Sequence, residues 1–320
     1  MSISQDNNFG VVLACYPGDL WIAKACLASI KTFAPHLPIA LIADKNPDLS
    51  EILPLYNIQY IIRKEDAQNP YLRDYCFGTR FTSAIALFES PFEKFIYLDA
   101  DTLFWGDISP RVKTILESHD FIGNTPHEDY SDFILKTQYF DFERIFHEAP
   151  AFSWQGHHYF NSGVMAGRRN VLDLDLFIYL HKLWKKDPKL IFEIQGVVNF
   201  IVFYMKSKGT LRVGETLLQE VVAVRTTQDL QSEYAFEEGR PVVKKDVVLH
   251  YAGLKPMIKS YKGYLKPVVY FRMKHLKESG RMKKLLGTLS LLAEEYQSNL
   301  NTYYNGSLIN YFKYKITGKK

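Results

Sequence analysis

The chain has 320 residues, 47% hydrophobic and 23% charged, which is enough to bury one large core or two packed ones and describes an ordinary globular protein. The formal net charge of +4 is unevenly spread: residues 251–320 hold 14 Lys or Arg against 3 Glu, leaving 25 basic and 32 acidic residues before them, so any attraction to polyanions belongs to the C-terminal segment. Cys15, Cys26 and Cys76 are too few and too irregular for a disulfide framework or a zinc site, and MSISQDNNFG has neither the basic n-region nor the apolar stretch of an export signal, so a cytoplasmic protein is expected.

In chain order, FGVVLACY (9–16) reads as a strand, residues 20–33 as a helix, PIALIAD (38–44) and IQYII (58–62) as strands, residues 71–89 as a helix and KFIYLDAD (94–101) as a strand. Short apolar runs alternating with helical periods are the pattern of parallel strands covered on both faces. The expected fold is therefore an open α/β sheet, Rossmann-like in its N-terminal half, with ligands at the C-terminal ends of the strands. Residues 124–159, rich in aromatics and His without a sustained period, read as an irregular insertion over the cleft. A strand resumes in YFNSGVMAG (159–167), helical patterns cover 172–186 and 195–206, and DVVLHYAG (246–253) is one more strand. From Lys266 the pattern is two amphipathic helices and a basic tail. The expected division is a domain of residues 1–257 and a basic helical extension of residues 258–320. Docking of that extension on an anionic membrane is expected rather than on nucleic acid, for which no motif is present.

The chemistry-bearing window is FIYLDADTLFWGDI (95–108). In extended chain, residues two apart project to one side, so Asp99 and Asp101 are expected to face one spot at a strand end. Two buried carboxylates repel each other and lose solvation unless a cation lies between them, so a divalent metal is one reading. The other is a turn in which an Asp caps the next element.

Three further segments, FNSG from Phe160, QGVVN from Gln195 and HYAGLKP from His250, stand near strand or helix ends. Together with Asp-Ala-Asp, and in this order, they resemble the glycogenin-like glycosyltransferases, family eight, and their relatives with the GT-A fold, over residues 9 to about 257. The resemblance implies an open mixed sheet and transfer of a sugar, with retention of anomeric configuration, from a nucleoside diphosphate sugar, with uridine as the base, to a glycan, lipid-linked or protein acceptor. It implies that Asp99, Asp101 and His250 hold Mn2+, or Mg2+ in its place, and two hard carboxylates with one imidazole suit manganese. Lys255 would meet the phosphates, and Asn161 and Gln195 the sugar. Ala14, Tyr16, Arg80, Ala100, Gly163 and Gly253 would complete the donor site, with Gly163 keeping backbone close to the donor.

Ile194 stands where the family carries an acid before the Gln, with Glu193 one residue earlier; Tyr16 replaces a small polar or acidic residue; and only Leu254 separates Gly253 from Lys255, one residue fewer than usual. The cluster Trp154, His157, His158 and Tyr159 is expected on the acceptor side, since aromatic faces stack on sugars. Rival readings are a haloacid-dehalogenase-type phosphatase, whose Asp-Xaa-Asp opens on the first strand, a nucleotidyltransferase, and a non-catalytic sugar-nucleotide-binding protein.

Overall fold

A computed structural model describes residues 8–125, 130–253, 255–280 and 287–303. In chain order the strands are β1 (Phe9–Cys15), β2 (Ile39–Ala43), β3 (Ile58–Ile62), β4 (Lys94–Asp99), β5 (Thr102–Trp105), β6 (Phe121–Asn124), β7 (Val164–Arg168), β8 (Val213–Thr216), β9 (Gln219–Val221), β10 (Phe236–Glu237), β11 (Arg240–Pro241) and β12 (Val247–His250). Seven of them form a mixed sheet in the order β3-β2-β1-β4-β7-β6-β8. The β3, β2, β1 and β4 pairings are parallel, and β7 runs antiparallel to both β4 and β6.

Alternation along the strands divides the core. Val11, Leu13 and Cys15 of β1, Ile39 and Leu41 of β2 and Ile96 and Leu98 of β4 face one layer, built on the helix Leu20–Phe33. Val12, Ala40, Ile42, Phe95 and Tyr97 face the other, covered by the helices Ala84–Glu89, Leu174–Lys186 and Glu193–Ser207. A side-chain period of two thus supplies both layers from the same strands, which is why each strand reads as an unbroken apolar run.

A second sheet, β5-β12-β9, positions the site. β12 runs antiparallel to β5 with His250 opposite Thr102, immediately after Asp101, and parallel to β9 with His250 opposite Val221. This pairing carries His250 to the Asp pair across nearly 150 residues of sequence.

The structure departs from the sequence expectation in four places. The helix expected over residues 71–89 is two, Pro70–Tyr75 and Ala84–Glu89. They part around Gly78, whose φ of 76° favours glycine and whose N–H donates to both carboxylate oxygens of Asp44 at 2.9 Å. The insertion of 124–159 contains the short helices Asp132–Gln138 and Phe142–Ile145, each started by a side-chain cap, from Ser131 and Asp141 respectively. Of residues 159–167, only those from Val164 onward pair in the sheet, because Phe160 is held instead by the Asn199 amide, which accepts from its N–H at 3.0 Å and donates to its carbonyl at 2.9 Å. The strands β5, β6, β8 and β9 fall where no regular period is legible.

At the C-terminus, Val268 and Phe271 of the helix Lys266–Glu278 join the same buried layer as Trp21 and Leu27. The helix Gly287–Tyr303 follows. The basic tail beyond residue 303 lies outside the described residues. No described helix is long and apolar enough to cross a membrane.

Candidate active site

The C-terminal ends of β1 and β4 and the loop after β12 open on a cavity of about 550 Å³, within the roughly 300–1,000 Å³ typical of small-ligand clefts. Ala14 and Tyr16 line it from β1, Asp99, Ala100 and Asp101 from β4 and the turn after it, and His250, Gly253 and Lys255 from β12 and its loop. Arg80, Asn161 and Gln195 line the remaining wall.

Asp99 and Asp101 do converge, but through a turn rather than by strand alternation. β4 ends at Asp99, the chain turns at Ala100 and Asp101, and β5 begins at Thr102. The turn is tied by the Thr102 hydroxyl, which donates to the Asp99 carbonyl at 2.8 Å, and by the Tyr251 N–H, which donates to the Asp101 carbonyl at 2.9 Å. One ligand atom from each of Asp99, Asp101 and His250 can be chosen so that all three lie within 4.8 Å of one another.

The His250 ring is oriented from behind. Gln219 Nε2 donates to the carbonyls of Asn161 (2.7 Å) and Val164 (3.2 Å), which leaves Gln219 Oε1 to accept from His250 Nδ1 at 2.8 Å. The Nδ1–H tautomer then presents the Nε2 lone pair to the Asp pair; Nε2 lies 3.4 Å from Asp101 Oδ1. Gly163 stands apart from the cavity lining. A Cβ on it would lie 2.1 Å from His250 Cε1, so this glycine makes room for the imidazole instead of bringing backbone to a ligand.

The electrostatics of the floor favour a cation. Burial and the adjacent Asp101 charge raise the Asp99 carboxyl above its usual range. Burial alone would raise Asp101 as well, but Lys255 and His250 outweigh it and hold that carboxyl low. Lys255 Nζ lies 2.9 Å from Asp101 Oδ2 and 3.5 Å from Asp19 Oδ1, so the short spacing after Gly253 does not keep it from the site. Asp19 itself is pushed up to about 6 by burial, with Lys255 opposing and Asp101 adding to the rise. Three carboxylates thus face one ammonium in a low-dielectric pocket, and two hard oxygens beside an imidazole nitrogen fit a divalent ion such as Mn2+.

Two acidic residues at the site, Asp19 and Asp44, were not singled out in the sequence. Asp19 stands at the N-cap of the helix Leu20–Phe33, yet its side chain makes no capping bond and turns to Lys255. Asp44 lines the far end, held by Gly78 and by the Thr82 hydroxyl at 2.7 Å. Glu193, with its backbone at φ 45°, lines the cavity and pairs with Arg80, and Ile194, though packed into the core, lines it as well. Asn161 does cap a turn, accepting from the Gly163 N–H at 2.9 Å, and Gln195 does stand in a first helical turn, donating to the Gln138 carbonyl at 2.9 Å. The aromatic cluster is used in packing: Trp154 stacks on Phe142 at 3.8 Å and His157 on Phe203 at 4.4 Å, and both line a separate cavity of about 250 Å³.

Compared with solved structures, the chain is similar to the galactosyltransferase LgtC in complex with donor and acceptor sugar analogues, at 16% identity and TM-score 0.52 over 86% of this chain and 96% of that one. The fold is the GT-A glycosyltransferase fold. It is also similar to the glycosyltransferase GlyE of Streptococcus pneumoniae TIGR4 (16% identity, TM-score 0.50, 89% of this chain and 64% of that one) and to the bifunctional WbbM (12%, 0.51, 88% and 53%), both longer chains of which it spans about half to two-thirds. No family profile and no curated protein sequence matches it.

Proposed function

We propose that this protein transfers a sugar from a nucleoside diphosphate sugar, with uridine as the base, to a glycan, lipid-linked or protein acceptor, with retention at the anomeric carbon. The observation that carries this reading is the convergence of Asp99, Asp101 and His250 on the floor of a nucleotide-sized cavity in a GT-A fold. LgtC, which shares that fold, was solved with donor and acceptor sugar analogues, which supports a nucleotide sugar as the ligand. The phosphatase reading needs its nucleophile on a first strand, whereas Asp99 ends the fourth.

In the transfer, the bond from the anomeric carbon to the diphosphate oxygen breaks, its electron pair stays on that oxygen, and an acceptor hydroxyl bonds to the carbon and gives its proton to the departing phosphate. Asp99, Asp101 and His250 would hold the divalent ion, Mn2+ or Mg2+; when bound it supplies Lewis-acid stabilisation of the leaving phosphate. Lys255 adds a second positive charge to that phosphate, and its partial burial makes the charge count for more than it would in water. Gln195 and Asn161 orient the sugar, Glu193 and Arg80 face it across the mouth, and Tyr16 and Ala14 stand at the base. The basic C-terminal segment suits a peripheral contact with an anionic membrane surface.

Binding of uridine diphosphate, measured by calorimetry with and without Mn2+, tests the assignment. Wild type binds only with the metal, and His250→Ala weakens that binding at least about 10-fold. Equal binding without metal, or an unchanged His250→Ala, refutes it.

A further inference from the structure

Two loops carry the charged groups at the phosphate end of the cavity. The turn after β1 brings Tyr16 and Asp19, and the segment after β12 brings Gly253 and Lys255. Neither is held by a sheet ladder: the first closes on its own Asp19 N–H to Tyr16 carbonyl bond, and the second on the Met257 N–H to the Lys255 carbonyl at 2.8 Å. Both are also bonded by the helix Gly287–Tyr303.

Ser298 donates its hydroxyl to the Gly18 carbonyl, one residue before Asp19. One turn earlier, Glu295 accepts the Ile258 N–H on both carboxylate oxygens at 3.1 Å, three residues after Lys255. Glu295 is 5% exposed, and a buried carboxylate requires compensation. Arg272 gives it, donating to Glu295 Oε1 at 2.5 Å and to the Leu291 carbonyl at 2.8 Å while its guanidinium lies 4.5 Å over the Trp21 ring. A buried carboxylate thus joins Arg272 to one loop N–H, and the helix bearing it also holds the opposite loop.

We propose, building on the sugar-transfer reading, that this helix is part of the donor site. Glu295 and Ser298 are positioning residues that hold the two loops at the separation from which Lys255 reaches Asp101 and Asp19. They touch no substrate. Their effect on the diphosphate passes through Lys255.

The test is a double-mutant cycle in the full chain, with uridine diphosphate and Mn2+ as the probe, binding read by calorimetry and fold by the urea midpoint. Glu295→Gln weakens binding about 10-fold, the effect of losing a charged hydrogen bond transmitted to one contact, and Ser298→Ala, the milder change, weakens it about 3-fold. In a Lys255→Ala background both become neutral, since the group they position is gone. A lower urea midpoint with unchanged binding would make the helix packing alone and overturn the proposal, as would equal losses with and without Lys255. Absence of binding by the wild type would overturn the sugar-transfer reading itself, a result separable from either.

Discussion

His250 offers the site Nε2, because Nδ1 is committed to Gln219, and the ring lies close against Gly163. Gly163→Ala therefore acts on the imidazole: the new Cβ displaces the ring, and Mn2+ affinity falls about 10- to 100-fold while the fold, whose backbone at 163 is not in a glycine-only conformation, persists. Titration of Mn2+ followed by its electron spin resonance signal, beside a circular dichroism spectrum, checks both halves. A second residue makes stability depend on pH. His181 is 1% exposed, accepts or donates with the Tyr71 hydroxyl at 2.8 Å, and is lowered from 6.5 to about 4 by burial and then by Lys185. A depressed folded value means the unfolded chain takes up the proton first. Its stabilising contribution is complete above pH 6.5 and is lost as pH falls toward 4, by roughly 3 kcal/mol in all. Urea midpoints of wild type should fall more steeply over that window than those of His181→Phe; parallel curves would show that His181 is not held neutral.

Between elements, buried and exposed ion pairs separate by magnitude. Arg272→Leu leaves Glu295 in the core without its cation and should cost about 3–5 kcal/mol, whereas Lys31→Ala removes an exposed pair with Glu278 and should cost less than about 1 kcal/mol. Urea denaturation of the two variants compares them directly. The elements also differ in how far they could be read in advance. β1, β2, β4 and β12 are buried and the edge strand β3 half-buried, and all five are locally apolar runs, so composition alone marks them. The break at Gly78 was not legible because its reason, the Asp44 carboxylate, lies 34 residues away. β5 and β9 are short, and only their pairing with β12 makes them strands. At the site, Asp99, Asp101 and His250 were marked by their motifs. Gln219 was not, since a lone Gln 31 residues from its histidine carries no local signal. Asp19 carried no local signal either, its partner Lys255 lying far along the chain, and the rings of the aromatic cluster before Asn161 both pack on neighbours and line a cavity of their own.

At the scale of the whole molecule, the mixed sheet, the antiparallel β5–β12 pair and the C-terminal helix bring three distant parts of the chain to one cavity floor. Carboxylates there outnumber cations, and the anionic oxygens of a leaving diphosphate could not be met without added positive charge. The proposed sugar transfer rests on that balance together with the fold. The most direct measurement is release of nucleoside diphosphate from a panel of nucleotide sugars, with and without Mn2+, by wild type and Asp101→Ala. Manganese-dependent release from a uridine diphosphate sugar, lost by about 100-fold or more in the variant, is the expected result. Release that ignores both the metal and Asp101, or hydrolysis of simple phosphate esters with none of any nucleotide sugar, would contradict it.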